Sequence, residues 1–144
     1  MHALDILNLP LKKYINIIQK QYDHALAHGI DREYGGVFVE GSHAGGVYDR
    51  EKEFWQNAEM LIALTQACLV LNPEKYWQTY QNVHRLVFDK MIHHEVGEWW
   101  PLLTRHGQPI WTHMSHNWKI NYHTVRSMIE TAKRMELLLE AGMF

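Results

Sequence analysis

Apolar residues recur with a period of about 3.6 in four stretches of the chain, which predicts four amphipathic helices. Their expected bounds are about Leu11 to His28, Glu51 to Leu71, Glu74 to His93 and Asn121 to Leu139. Asn72-Pro73 separates the second helix from the third and is a typical start signal for a helix. The second and third helices are therefore expected to form a helical hairpin.

One side of each of the first three helices is expected to be buried, because its apolar residues lie three or four positions apart. In the first helix this side carries Tyr14, Ile17, Ile18, Tyr22, Ala25 and Leu26. In the second it carries Phe54, Ala58, Leu61, Thr65, Cys68 and Leu69. In the third it carries Tyr76, Tyr80, Val83, Leu86 and Val87.

Two segments rich in glycine and aromatic residues interrupt the helical pattern. The segment "DREYGGVFVEGSHAGGVYDRE" alternates small and large residues, which predicts a β-hairpin or a long irregular loop with short strands. The segment "HHEVGEWWPLLTRHGQPIWTHMSHNW" predicts a second hairpin with a turn at "RHGQ". No linker divides the chain, so we expect one all-α domain over residues 1–144 with short β-hairpin loops between its helices.

Charge and composition exclude several partners. Fourteen Lys and Arg residues against sixteen Asp and Glu give a net charge of −2 with both signs scattered, which disfavours nucleic acid and anionic membranes as partners. No stretch is long and apolar enough for a membrane span, and the first residues do not have the pattern of a signal peptide. The single cysteine, Cys68, excludes a disulfide framework. We expect a cytoplasmic protein.

Aromatic residues supply the first functional hint. The chain has six tryptophans, and five of them fall in the two loop segments or at helix starts: Trp55, Trp99, Trp100, Trp111 and Trp118. Sugar rings stack on such exposed aromatic faces, although tryptophans that plug the ends of a helical bundle would give the same pattern. Trp55 and Glu59, four positions apart, share one helix surface, either as a sugar contact or as a boundary tryptophan beside a solvated carboxylate.

His123 is the candidate acid or base. It lies in the first turn of the last predicted helix, where the helix dipole disfavours the imidazolium form, and Arg126 follows three positions later. A neutral imidazole can take a proton from a carbon acid, and Lys119 or Arg126 could stabilise the negative charge that develops on oxygen. A histidine that is hydrogen-bonded for structural reasons is the competing interpretation.

Four blocks in order carry a resemblance to a known family: "GIDREYGGVF", "KEFWQNAEMLIAL", "GEWWPLLTRHGQP" and "WKINYHTVR". Together they resemble the C-terminal part of the N-acylglucosamine 2-epimerase family, which includes cellobiose 2-epimerases and aldose–ketose isomerases. The resemblance covers the chain from about Leu11 onward. It implies part of an (α/α)6 barrel whose inner helices present side chains to a sugar pocket.

The resemblance also assigns roles to residues. His123 matches the family's second catalytic histidine, and Arg126 matches an arginine that supports it. Trp55 and Glu59 match a sugar-stacking tryptophan and a carboxylate in the second block. In this block the chain departs from the family pattern, with Phe54 in place of a tryptophan and Asn57 in place of a glutamine.

The third block contributes two more candidates by the same resemblance. Glu98 and Trp99 match a turn near the pocket rim, and Lys119 in the fourth block completes the expected substrate-binding set. The implied partner is a small-molecule sugar, with no metal and no cofactor.

The implied reaction moves the C2 proton of an aldose or acylamino-sugar through an enediolate, with two histidines as bases. The family's first histidine block, "G-H-x-x-E-x-x-W", is absent from these 144 residues. We therefore expect a C-terminal fragment, a truncated reading frame or one product of a split gene, and a chain that is inactive alone. Its exposed barrel faces are expected to be covered by another copy in a homo-oligomer or by a partner chain.

Two alternatives from other classes remain open at this point. A metal site could be built from "HHE" at residues 93–95, or from His113 and His116, although neither has a third ligand at a typical spacing. A non-catalytic helical module that binds carbohydrate or another protein is the second alternative.

Overall fold

The computed structural model describes residues 2–143, which contain five α-helices. A 3₁₀ turn, Leu11–Lys13, precedes the second helix, and π-helical turns, Ala25–Gly29 and Val87–Met91, extend the second and the fourth. The helices are α1 (His2–Ile6), α2 (Ile15–His24), α3 (Phe54–Val70), α4 (Pro73–Leu86) and α5 (Tyr122–Glu140). The four predicted helices are therefore present, although the first is irregular at both ends.

Within residues 2–143, the segments between the helices contain three antiparallel pairs of very short strands. The hairpin predicted in the first glycine-rich segment is formed by β1 (Glu40–Gly41) and β2 (Val47–Asp49). The second segment forms a hairpin of β4 (Ile92–His93) and β5 (Glu98–Trp99), but its turn lies at residues 94–97 and not at the predicted "RHGQ". A separate turn forms at "RHGQ", where the Thr104 amide donates to the Gln108 carbonyl at 2.8 Å. The third pair joins distant parts of the chain, β3 (Lys52–Glu53) and β6 (Leu102–Leu103). This pair fixes the loop after β5 to the start of α3.

The α3–α4 hairpin forms as its sequence signals predict. The Asn72 side chain accepts a hydrogen bond from the Lys75 backbone amide at 3.1 Å, and Pro73 occupies the first turn, where its missing N–H has no cost. All five residues that were expected to be buried on α4 are buried, and so are all those on α3 except the half-buried Leu69. On these two helices, the residues that the apolar spacing predicts to be buried are therefore those that form the core.

The core is centred on α3, which is buried along most of its length between α4 and α5. For the first helix the prediction was mostly wrong, since Leu26 alone of the six residues expected to be buried is buried, and Ile17 is 59% exposed. On α5 the buried side holds Thr124, Ser127, Thr131 and Leu138, whereas large apolar side chains on its other sides are exposed. No helix within residues 2–143 is long and apolar enough to cross a membrane.

A buried charge cluster holds the two loop segments together. The Asp31 carboxylate is 1% exposed and binds Lys52 Nζ at 3.0 Å and Arg105 Nε at 2.8 Å. Burial alone would raise the pKa of Asp31, but hydrogen bonds from Arg105, the Tyr34 amide and Lys52 hold it far below its usual range. Asp31 thereby connects the residues before β3 to the turn that follows β6.

Gly36 allows the first loop to approach α3 and α4. Its φ of +74° lies in the region that favours glycine, and an added Cβ would sit 2.2 Å from Leu86 Cδ2 and 2.6 Å from Asn57 Oδ1. Asn57 is fully buried, and its Oδ1 accepts a hydrogen bond from the Val37 amide at 2.9 Å. Asn57, which departs from the family's glutamine, therefore binds the loop backbone.

Candidate functional site

The candidate site lies where the first two turns of α3 meet the first turn of α5. Trp55 and Glu59 are one helical turn apart on α3, and His123 and Arg126 lie in the first turns of α5. All four are partly exposed. Trp55 is 40% exposed. The structure thus brings four of the seven predicted site residues to one surface.

The Glu59 carboxylate is the centre of this group. Its Oε1 lies 2.9 Å from Nδ1 of His123. Arg126 Nη1 donates to both carboxylate oxygens, at 2.7 Å to Oε1 and 2.6 Å to Oε2. Glu59 therefore neutralises the arginine and orients the histidine at the same time.

Glu59 is ionised at neutral pH. Partial burial would raise the pKa of Glu59, but the hydrogen bonds from Arg126 and His123 outweigh burial and lower the pKa below its ordinary value of 4.5. An ionised carboxylate can only accept hydrogen bonds, so Nδ1 of His123 carries the proton that points to Glu59. In the neutral ring this leaves the lone pair on Nε2, which is the nitrogen available to act as a base.

Aromatic rings surround the histidine. The ring centroid of Trp55 lies 5.9 Å from that of His123, and the Tyr122 ring lies at 5.0 Å. Phe54, which departs from the family's tryptophan, is buried, with its ring 6.3 Å from His123. Of the two adjacent aromatic residues on α3, Trp55 is therefore the one that offers an exposed face beside the imidazole.

Lys119 does not lie where the sequence analysis expected it. It is 1% exposed, and its Nζ binds Glu98 Oε1 at 2.9 Å and the Met114 carbonyl at 2.8 Å. The ammonium also lies 5.2 Å from the centre of the Phe54 ring. Because its ammonium is buried and held by these partners, Lys119 supports the segment that precedes α5.

Trp99 is also placed differently from the prediction. Its side chain is 3% exposed and packs in the hydrophobic core, so it is not a rim contact. Glu98 is half-buried, and its Oε1 accepts a hydrogen bond from the Trp99 amide at 2.7 Å in addition to the Lys119 pair. The β4–β5 hairpin therefore contributes Glu98 to the support of the site, with Trp99 as its packing anchor.

The candidate metal ligands and the remaining tryptophans lie apart from this group. His113 and His116 pack with Trp111 at ring distances of 5.4 to 5.6 Å. Among the described side chains, which leave out those of His2 and Asp5, no group of three or more His, Cys, Asp or Glu residues is arranged to hold a metal ion. Trp118, just before α5, is 88% exposed.

The buried Asp31 cluster is the main feature that sequence reasoning missed. Asp31 and Arg105 stand in two of the quoted blocks but are 74 positions apart, and nothing local pairs them. A hydrophilic triplet such as "DRE" reads as a solvated loop. Lys52 lies in the charged run "DREKE" just before α3, so no local signal marks it as the buried partner of Asp31.

The chain is similar in sequence to sugar epimerases and isomerases. The model of the N-acylglucosamine 2-epimerase (GlcNAc 2-epimerase) family matches residues 9–127. A D-mannose isomerase from Marinomonas mediterranea is 27% identical over 129 residues, which is 90% of this chain and 31% of that protein.

Solved structures give the same result at the level of the fold. A D-mannose isomerase superposes with a TM-score of 0.72 at 27% identity, covering 78% of this chain and 29% of the other. The cellobiose 2-epimerase from Spirochaeta thermophila superposes with a TM-score of 0.71 at 25% identity, covering 91% and 32%. These neighbours are (α/α)6-barrel enzymes, so the predicted fold class is confirmed, and the chain spans about 30% of their length.

Proposed function

The chain belongs to the N-acylglucosamine 2-epimerase family, and on this premise we propose that it carries one acid–base half of a sugar epimerase or isomerase site. His123 is the acid–base group, Glu59 orients it, and Trp55 stacks against the sugar. The observation that carries the proposal is the contact of one carboxylate, Glu59, with both His123 and Arg126 beside an exposed tryptophan.

The proposed chemistry begins with an open-chain aldose. Nε2 of the neutral His123 removes the proton from C2, and the electrons of that C–H bond form the C1–C2 double bond of an enediolate with negative charge on O1. Return of a proton to the opposite face of C2 re-forms the C1 carbonyl and gives the epimer. Transfer of the O2 proton to O1 followed by protonation of C1 instead forms the C2 carbonyl and gives the ketose. The relatives named as a cellobiose 2-epimerase and a D-mannose isomerase correspond to these two outcomes.

The remaining predicted residues receive supporting roles in this proposal. Arg126 keeps N–H groups besides Nη1 that could face a sugar oxygen, and it holds Glu59 in its ionised form. Glu98 and Lys119 hold the segment that precedes α5 and so position His123. Trp99 anchors Glu98 by core packing.

Sugar binding tests this proposal without requiring turnover. The chain is titrated with D-mannose, cellobiose and N-acetylglucosamine while NMR follows the Trp55 indole and the His123 ring. We expect both signals to move in parallel with at least one sugar, and Trp55→Ala to remove the effect. Tyr48→Ala, which removes an exposed aromatic ring from β2, serves as the control. Absence of any response to all three sugars would contradict the proposed site.

A further inference from the structure

A polar cavity lies against α4, between this helix and the residues that follow α2. Its volume is about 330 Å³, which is within the range of small-molecule pockets. One loop residue and a stripe of α4 supply its polar lining: Arg32, Gln78, Thr79, Gln81, Asn82 and Arg85. None of these residues belongs to the group around His123.

The two arginines of this cavity lack acidic partners. Arg105, Arg126 and Arg134 each bind a carboxylate. Among the side chains that the structure describes, none pairs its carboxylate with Arg32 or Arg85, and Arg32 Nη2 donates to the Leu26 carbonyl at 3.2 Å. Most of the N–H groups of both guanidinium ions are therefore available to a ligand.

The neighbouring groups strengthen the donor character of the cavity. Asn82 Oδ1 accepts a hydrogen bond from the Gly36 amide at 3.2 Å, which leaves its NH₂ group as a donor. No acidic side chain is among the described residues that line this cavity. Glu33 and Asp89 line an adjoining concavity that shares Arg32, Asn82 and Arg85, and Glu33 is already bound to Arg105 at 2.9 Å.

We propose that this cavity binds a small phosphorylated anion between Arg32 and Arg85. A phosphate group presents several oxygens to two guanidinium ions at once, and bidentate arginine contacts favour this geometry. The amide and hydroxyl groups of the α4 stripe would then contact the remaining oxygens or the group esterified to the phosphate. Asp89 weakens the binding through its charge, because it is the unpaired carboxylate at the edge of the site.

In the test, the 144-residue chain is titrated with inorganic phosphate and with glucose 6-phosphate. Glucose is the control for the sugar, and sodium chloride at the same ionic strength is the control for charge. Amide NMR shifts of residues 78–85 report binding. We expect saturable shifts with a phosphate-bearing ligand, and about tenfold weaker binding for Arg85→Ala and for Arg32→Ala. Arg50→Ala removes an exposed arginine outside the cavity and should leave the affinity unchanged, whereas Asp89→Asn should increase it.

The outcomes separate the possibilities. Binding of inorganic phosphate without glucose 6-phosphate would support the anion site and identify free phosphate as its ligand. Equal losses for Arg85→Ala and Arg50→Ala, or shifts that sodium chloride reproduces, would overturn the proposal. Because Arg32 and Arg85 are exposed, their variants should fold normally, which the same amide spectra verify.

Discussion

Glu59 on α3 and His123 on α5 are joined by a 2.9 Å contact between Oε1 and Nδ1, across 64 positions of sequence. From the sequence, the helix dipole and the nearby cations are the expected influences on the protonation of this histidine. The structure adds a carboxylate that selects one ring nitrogen as donor, and it shows that Lys119 is engaged elsewhere. The orientation of the imidazole therefore depends on Glu59 as well as on the start of its own helix.

Glu59→Gln should change the tautomer of His123. A glutamine side chain can donate as well as accept, so it no longer requires the proton on Nδ1. We expect long-range ¹H–¹⁵N NMR to show a reduced Nδ1–H population, with a stability change of about 1 kcal/mol or less because the group is partly exposed. Glu130→Gln, which removes another α5 ion pair, should leave the tautomer unchanged. If the Nδ1–H population of His123 is the same in Glu59→Gln as in the parent chain, Glu59 does not orient the ring.

The 144-residue chain alone should not exchange the C2 proton of sugars with solvent. His123 can supply one base, and the histidine block that matches the other base of the family is absent from these residues. The measurement is deuterium incorporation at C2 of D-mannose or cellobiose in D₂O, with His123→Ala as the background. If the parent chain incorporates deuterium at C2 and His123→Ala does not, one base is sufficient for proton exchange and the prediction is wrong.

Asp31→Asn should destabilise the fold more than Lys52→Met does. Asp31 is the carboxylate that binds the buried Lys52, so its loss leaves an unpaired buried ammonium and costs roughly 3–5 kcal/mol. In Lys52→Met, Asp31 keeps Arg105 and the amides of Glu33 and Tyr34, so we expect a loss of about 1–3 kcal/mol. Urea unfolding of both variants provides the comparison, and the reverse order would contradict this account of the cluster.

The same cluster predicts a dependence of stability on pH. The pKa of Asp31 is lower in the folded chain than its ordinary value of 3.8, so the unfolded chain binds the proton more readily. The contribution of Asp31 to stability is complete above pH 3.8 and is lost as the pH falls through the lower folded pKa. Urea unfolding between pH 7 and pH 2 gives the free energy of unfolding of the parent chain and of Asp31→Asn. The difference between the two should stay constant above pH 3.8 and decrease below it.

Gly36→Ala should destabilise the protein more than Gly97→Ala does. Both residues have positive φ, which costs an alanine about 1–2 kcal/mol. At Gly36 the new Cβ also collides with Leu86 and Asn57, which adds roughly 1–3 kcal/mol, whereas nothing lies within 4 Å of a Cβ at Gly97. Thermal unfolding of the two variants separates backbone strain from the collision. Equal melting temperatures would mean that the loop moves away without cost.

We expect the chain to self-associate through the exposed side of α5. Val125 and Ile129 are 51% and 50% exposed one helical turn apart, which is unusual for side chains of this size. Light scattering at tens of micromolar should detect an oligomer, and the double change Val125→Lys and Ile129→Lys should shift it toward monomer. Glu136→Lys, on the same helix, is the control. A monomeric parent chain would contradict this expectation.

The sequence alone was sufficient for the helices and for the family. Helical periodicity and the Asn72-Pro73 signal located α3, α5 and, with its π-helical extension, α4 to within a few residues, because these signals act between positions three or four apart. The four motif blocks identified the family, which the match over residues 9–127 confirms. The same blocks contain His123, Glu59 and Trp55, which lie together in the fold.

Tertiary structure decided which of these candidates meet and which are buried. Lys119 and Trp99 lie in motif blocks just as His123 does, but they face the interior, and only the packing of the β4–β5 hairpin and the α5 entry against α3 determines that. The pairs Asp31–Arg105 and Glu59–His123 join residues 74 and 64 positions apart. Charges pair through space, and their partners depend on how the chain folds, so no local pattern encodes them.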